Sequence, residues 1–374
     1  MIQEEHLTND NKKIEDYGIL NYHVLEGIAD WVRVVDKDGI IIYANKSMKD
    51  SLGDNIVGMK CHKSYGRELK CNFCITYRSI KTGEVVQKEE IINGRYYSIK
   101  TSPVINSEGK IYAAVEVFRD VTRERKLELE LIERNKRMSK DLLFAKKIQE
   151  RILPQKGLID NLEINYIYKP SEMLSGDMFD IFHIDDENVG FYISDVVGHG
   201  IAASMMTMFI RQTMRAIKDD ILNPSLVLKE LHKRFLLLNL EEDKYFTIFY
   251  GVYNKASREF KYSNAGHNCS PIRYNDNGID LLKVKGFPIA KLYGDINYDE
   301  KSITLEKKDK IIFYTDGITE VKDESGEEFG EKRVIDIIKN NPDNILEKIE
   351  NKILSHNFQY QKDDYALILL KVNE

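Results

Sequence analysis

The sequence predicts an α+β chain in which two globular parts are joined by one long helix. Three observations carry this. The first 120 or so residues hold short β-rich runs separated by hairpin turns: DKDG at 36–39, NG at 93–94 and SEG at 107–109. Residues 121–153 contain no glycine, are rich in helix formers and stop before Pro154. From about Leu162 onward, strand runs joined by short turns dominate, with helical pairs inserted between them. That pattern suits antiparallel sheets covered by helices better than a parallel βαβ sheet.

At 374 residues the chain can hold two or three domains, each with its own core. A formal net charge of −6 argues against nucleic acid or an anionic membrane as partner. No apolar run approaches the ~20 residues of a membrane span. The polar start MIQEEHLTND lacks a signal-peptide core, which makes the cytoplasm the expected compartment.

Residues 1–20 form a polar leader. In residues 21–120, Trp31–Val35 and Ile40–Tyr43 form a hairpin, and ANKSMKDSLG is a short helix ending on glycine. Glu84–Ile92, Arg95–Thr101 and Ile111–Phe118 read as three antiparallel strands. The run VVDKDGIIIYANKSM, Gly58 in IVGMKC and the exit DVTRERK at 120–126 resemble a PAS domain. Inside it lie Cys61, His62, Cys71 and Cys74, three of the chain's four cysteines. Three thiols and an imidazole at this spacing could hold zinc or an iron–sulfur cluster, or do redox chemistry. The blander reading is that they are partly buried small residues. The flavin-adduct motif of light-sensing relatives is absent, and no haem ligand stands out.

In the linker, residues 121–153, Leu131, Met138, Ala145 and Ile152 recur every seven residues, with Leu127 and Ile148 alongside. This is a coiled-coil-like seam, interrupted at Arg134 and Asp141. It reads as a signalling helix pairing across a homodimer; the alternative is a single surface helix docked on a domain.

In the remaining part, residues 154–374, strands are expected at Leu162–Tyr168, Phe179–Ile184, Val189–Ser194, Tyr245–Tyr253, Phe260–Ser263, Ile272–Tyr274, Leu281–Val284, Lys310–Tyr314 and Tyr365–Lys371. Helices are expected at Ile201–Lys218, Ser225–Leu238, Glu331–Lys339 and Asn344–Leu354. Acidic residues punctuate the strand ends: Asp177 in SGDMFD, Asp195 in ISDVVGHG, Asp316 in FYTDG, and Asp363 with Asp364 in KDDYALILL. A single Asp–Gly pair is most often only a turn. Four carboxylates converging would repel one another without cations, and an all-oxygen set suits Mg²⁺ or Mn²⁺. Metal-assisted phosphoester hydrolysis is the reaction class that follows.

Here the motifs AKKIQERILP, SGDMFD, ISDVVGHGIAASMM, FTIFYGVYN, SNAGHN, GFPIA, KDKIIFYTDGITEVKD, FGEKRV and KDDYALILL occur in order. Residues 145–374 thereby resemble PPM-type (protein phosphatase 2C-like) Ser/Thr phosphatases. The match is to the bacterial branch of sporulation stage II protein E and the stress-response sigma-factor activators. The resemblance implies an α-β-β-α sandwich with two divalent cations at the edge between its sheets. Asp195 would bridge both cations, the Val196 carbonyl and Asp177 would serve one, and Asp316 and Asp363 the other. Asp180 would act through water or merely cap its strand, and Asp364 would stand behind the ligands. His199 is expected to pack the turn before the helix that follows it, because Val197 occupies the place of the eukaryotic branch's histidine. His267 belongs to the pattern, with a buried structural role expected. The implied activity is a metal-dependent protein phosphatase under PAS control. Its implied substrate is a phosphorylated STAS-type anti-anti-sigma protein in a partner-switching pathway. Two rivals stand beside it: a non-catalytic module that binds a sigma regulator, and a nucleotidyl cyclase, since SGDMF is superficially similar to GGDEF.

Overall fold

The computed structural model describes residues 20–218, 220–340, 344–356 and 363–373. They form two compact units that part between Arg137 and Met138.

The first unit is a five-stranded antiparallel sheet. Its strands are β1 (Trp31–Asp36), β2 (Ile41–Ala44), β3 (Val86–Ile92), β4 (Arg95–Ile105) and β5 (Ile111–Asp120), in the order β2-β1-β5-β4-β3. Helices α1 (Lys46–Leu52) and α2 (Ile75–Thr82) lie between β2 and β3. Asn45 starts α1. Its buried side chain accepts from Met48 N at 3.2 Å and Val32 N at 3.0 Å, and donates to the Ile28 and Asp30 carbonyls. Val35, Ile41, Met48, Ile99 and Phe118 fill the core. The sequence reading missed α2, because its first turn follows the cysteine segment and carries no apolar period. Within this core lies an ion pair, Arg33 Nε to Glu116 Oε2 at 2.6 Å, both almost fully buried; Thr76 of α2 also donates to Glu116.

Helix α3 (Thr122–Arg151) is the linker. Thr122 N donates to Asp120 Oδ1 at 3.0 Å, which caps its start. Leu127, Leu131, Met138 and Ile148 of the expected seam are exposed, whereas Ala145 and Ile152 are half-buried and Ile152 packs against the core of the second unit, so a coiled coil is not established. Gln149 is the buried residue of α3.

The second unit is a sandwich. One sheet contains β8 (Asp177–His183), β9 (Asn188–Val196), β10 (Tyr245–Asn254), β11 (Glu259–Ala265) and β15 (Glu300–Thr304), in the order β15-β11-β10-β9-β8, with β14 (Ile289–Ala290) also on β10. The other contains β6 (Gly157–Ile159), β7 (Leu162–Lys169), β12 (Ile272–Asn275), β13 (Gly278–Leu281), β16 (Lys310–Tyr314) and β17 (Tyr365–Val372), in the order β13-β12-β16-β17-β7-β6. Strand alternation builds three cores. Phe179, Phe191 and Ile193 face Phe313, Ala366 and Ile368 between the sheets. Met178, Tyr192 and Val196 pack outward under α4 (Gly200–Ala216) and α5 (Pro224–Leu236). Ile312, Tyr314 and Leu367 pack outward under α6 (Gly330–Asn340) and α7 (Ile345–His356). This is the α-β-β-α order. The strand expected at Leu281–Val284 is displaced: the turn at Asn275–Gly278 closes early, so β13 ends at Leu281.

Removing one member of a buried ion pair strands its partner's charge, at a cost of about 3–5 kcal/mol. Glu116→Ala should therefore lower the stability of the N-terminal unit by about that amount, measured by urea unfolding followed through Trp31. A change below 1 kcal/mol would contradict the buried pairing.

Candidate metal centre

The site grows out of strand parity. Phe179 and Ile181 of β8, and Ile193 of β9, face the inter-sheet layer. Asp177 and Asp195 share that parity, so both lie at one end of the layer. They are register partners on adjacent antiparallel strands. Gly176 lets the turn before Asp177 come close, since a Cβ there would stand 3.0 Å from the Gly198 carbonyl and 3.1 Å from that of Val196.

The second sheet supplies the remaining carboxylates. Asp316 opens a short 3-10 turn directly after β16, and Asp363 and Asp364 precede β17. Gly317 seats one segment on the other, because a Cβ there would fall 1.9 Å from the Asp364 carbonyl oxygen. Asp364 is committed to backbone: it accepts from Ser171 N at 2.6 Å, Ser171 Oγ at 2.8 Å and Gly176 N at 2.6 Å. Asp363 remains on the more exposed side.

Burial dominates the electrostatics. It raises the Asp177 carboxyl well above the usual carboxylate range, with Asp195 adding to the rise and the Thr315 hydroxyl, 2.7 Å from Asp177 Oδ2, opposing it. Asp195 is pushed up to about 8, first by burial and then by Asp316, Asp363 and Asp364. Asp363 is raised by burial, with Asp316 and Asp364 contributing. Glu320, four residues after Asp316, is raised by burial and by Asp316. The carboxylates thus lie within electrostatic reach of one another. Among the described residues, no three His, Cys, Asp or Glu side chains are drawn close enough to hold a metal ion. In donor chemistry the set fits hard divalent cations: it is oxygen only and mutually repelling, running from buried Asp177 to exposed Asp363.

Other residues behave differently from expectation. Asp180 has the opposite parity to Asp177 and points under α4. There Arg215 grips it at 2.7 and 3.0 Å, and Arg211 approaches to 3.5 Å. It also accepts from Ile181 N at 3.0 Å and faces away from the carboxylate group. His199 does not pack the turn; it is exposed and lies 3.0 Å from Glu172. His267 is buried, as expected, and its role is now visible. Burial lowers it to about 4, so it is neutral near pH 7. Its Nε2 bonds to the Tyr314 carbonyl at 3.0 Å and its Nδ1 to Thr247 Oγ1 at 3.4 Å. That ties the Asp316 strand end in one sheet to β10 in the other.

Thr315 was missed. Besides Asp177 it accepts from Ala366 N at 2.9 Å, so one hydroxyl joins both sheets. Its place before Asp316 in FYTDG was the available signal. Gln149 was missed too, hidden by its place beside an apolar seam. It accepts from Ser175 N at 3.0 Å and donates to the Ser175 carbonyl at 2.8 Å and to Thr207 Oγ1 of α4 at 3.3 Å.

In the first unit, Cys61, His62, Cys71 and Cys74 line one small cavity of about 20 Å³ with Arg33 and Glu116. The zinc and iron–sulfur expectation finds no support here, since these donors form no metal-holding group. The cavity has room for about one water.

Residues 185–373 match the family model of stage II sporulation protein E (SpoIIE). The chain belongs to the SpoIIE family of PP2C-type phosphatases. Residues 25–126 of this SpoIIE-family chain match the PAS fold model, and its first unit is a PAS domain. The chain is 30% identical over 277 residues to phosphoserine phosphatase RsbU of Bacillus subtilis (strain 168), covering 70% of this chain and 75% of RsbU. It is 29% identical over 242 residues to phosphoserine phosphatase RsbP of the same strain. That match covers 62% of this chain and 58% of RsbP, so it spans little more than half of RsbP's length. The SiaA-PP2C domain of Pseudomonas aeruginosa shares the fold, with a TM-score of 0.55 at 22% identity over 64% of this chain and 98% of that one.

A raised carboxyl binds its proton more tightly folded than unfolded. It therefore adds stability below its ordinary value near 4, and that stability is lost as pH rises through about 8. In chelator, the urea midpoint of the second unit should fall between pH 4.5 and 8.5, and Asp195→Asn should flatten that slope. Equal slopes would show that Asp195 does not titrate as described.

Proposed function

We propose that this chain is a metal-dependent protein serine/threonine phosphatase regulated by its PAS domain. The observation that carries it is the register pair Asp177–Asp195, buried at the sandwich edge where Asp316 and Asp363 arrive from the other sheet. Asp177, Asp195, the Val196 carbonyl, Asp316 and Asp363 would hold two divalent cations, Mn²⁺ or Mg²⁺. When bound, these would supply Lewis-acid activation of water and neutralise phosphoryl charge. The chain's own residues prepare that site. Thr315 orients Asp177, Asp364 fixes the turn at Gly176, and His267 steadies the backbone leading to Asp316. The exposed Val197 and His199 edge leaves the approach open to a phosphoserine or phosphothreonine on a protein surface. The substrate we favour is a phosphorylated STAS-type anti-anti-sigma protein. The relatives named phosphoserine phosphatase RsbU and RsbP support this reading, and partner switching would then release a sigma factor.

Hydrolysis of an aryl phosphate with Mn²⁺ tests the chemistry. Turnover should fall to background in Asp195→Asn. In Thr315→Val it should fall about 10–100-fold, as for groups that orient metal ligands. Mn²⁺-dependent turnover surviving in Asp195→Asn would refute the assignment. Absence of turnover in the wild-type chain, together with no metal binding by titration, would instead support a non-catalytic binding module.

Regulation would run through α3, whose Gln149 is bonded both to Ser175, two residues before Asp177, and to Thr207 of α4. The exposed row Leu127, Leu131 and Met138 would pair with a second copy. Deleting residues 1–120 should change the basal rate or its Mn²⁺ requirement severalfold. An unchanged rate and metal dependence under all conditions would end the regulatory reading.

A further inference from the structure

We propose that the PAS domain carries a peroxide-oxidisable dithiol, Cys71 and Cys74, beside the buried ion pair of its core. Three cysteines from two separated segments, Cys61 and the pair Cys71/Cys74, line one small cavity that also contains Arg33, Thr76 and Glu116. All three are partly exposed and none is in a disulfide. A small oxidant can reach them, while the fourth cysteine, Cys269, is buried elsewhere.

The three thiols are not equivalent. Arg67 Nη1 donates to Cys71 Sγ at 3.8 Å while also pairing with Glu90. Burial, by contrast, pushes the Cys61 thiol up, which makes it the poorer nucleophile. Cys74 sits three residues after Cys71, with bends at Asn72 and Phe73 turning the chain between them. Cys71 is thus the attacking thiol and Cys74 the resolving one. The Cys71 thiolate attacks the peroxide O–O bond, giving Cys71 sulfenic acid and hydroxide. The Cys74 thiol then condenses with it, forming S–S and releasing water. Two thiols lose two electrons, and one hydrogen peroxide becomes two waters.

The consequence is read through α2. Cys74 is its N-cap, with Sγ accepting from Tyr77 N at 3.4 Å. Two residues on, Thr76 donates to Glu116, the partner of Arg33, and Arg33 also holds the Cys61 carbonyl at 3.1 Å. Glu116 lies on β5, the strand that runs into α3. A disulfide that takes Cys74 from its cap disturbs the first turn of α2, and so the side-chain chain Thr76–Glu116–Arg33. Trp31 reports on this region, because it stacks on Tyr97 at 4.5 Å and lies 6.3 Å from Phe118, which lines the cavity.

The test uses the full reduced chain titrated with hydrogen peroxide. Thiols are counted, intact mass is measured and peptides are mapped. The expected result is loss of two of the four thiols and 2 Da, with a Cys71–Cys74 linkage, Cys61 and Cys269 still free, and a change in Trp31 emission reversed by dithiothreitol. Cys71→Ser should keep its three thiols, and its emission should not change. Retention of all four thiols at excess peroxide would overturn the proposal. So would oxidation to a sulfinic acid without a disulfide, a linkage through Cys61, or a stoichiometric bound metal that blocks oxidation.

Discussion

Two like charges on neighbouring strands set the terms for the second unit. Asp177 and Asp195 are direct partners in an antiparallel ladder, and same-face like charges in that position destabilise a sheet. Both are also removed from water, which is why their carboxyls are held above the usual range. Alternation along β8 and β9 could have placed them on the solvated end of either face. It places them between the sheets, where the opposite sheet delivers Asp316 and Asp363. The fold thus concentrates anionic oxygen at one edge, a local penalty of the kind found at binding and catalytic sites.

The polar groups around the carboxylates make sense against that penalty. Thr315 donates to Asp177 and accepts from Ala366 N, Asp364 collects three donors from the segment before β8, and His267 joins Tyr314 to Thr247. Each contact crosses between elements belonging to different sheets or segments. The contacts of Thr315, of Gly176 N with Asp364 and of His267 with the Tyr314 carbonyl are buried, where an unsatisfied partner is costly. Together they pin strand ends that repulsion would otherwise splay. Burial keeps His267 neutral, and a neutral ring can donate from one nitrogen while accepting at the other. On the far face of the same sheet, Arg215 and Arg211 neutralise Asp180, anchoring α4 over β8.

Much of this was legible in the sequence, and the reason lies in periodicity. The strands of the first unit, the linker helix and the four acidic strand ends follow local signals of alternation, turn chemistry and glycine, whereas the sandwich order rested on the resemblance of the ordered motifs to PPM-type phosphatases. Parity within β8 would also have separated Asp180 from Asp177, three residues apart and so on opposite faces. What was not legible depends on contacts between distant segments. Nothing near Thr315 reveals that Asp177, 138 residues away, accepts its hydroxyl. Nothing near His199 reveals whether it packs or faces solvent. Helix α2 lacked an apolar period because its buried positions, Ile75, Thr76 and Ser79, are mostly polar and satisfied by tertiary partners. Strand β13 moved because the turn residues Asn275–Gly278, not the apolar run after them, fix the register.

Polar contacts fix the linker helix at both of its ends. At its start, Asp120 caps Thr122, and the Thr122 hydroxyl accepts from Tyr96 N of β4 at 2.9 Å. Near its end, Gln149 satisfies both backbone groups of Ser175, two residues before Asp177. An α-helix of this length is about 45 Å long. Turning α3 enough to break the Gln149 contacts would leave a buried N–H and carbonyl unpaired, costing about 1–3 kcal/mol. A bias of that size shifts a two-state equilibrium roughly 5–150-fold. Under the regulation proposed above, a free energy of that size at Ser175 would bear on Asp177, a carboxylate already raised by burial and by its neighbour.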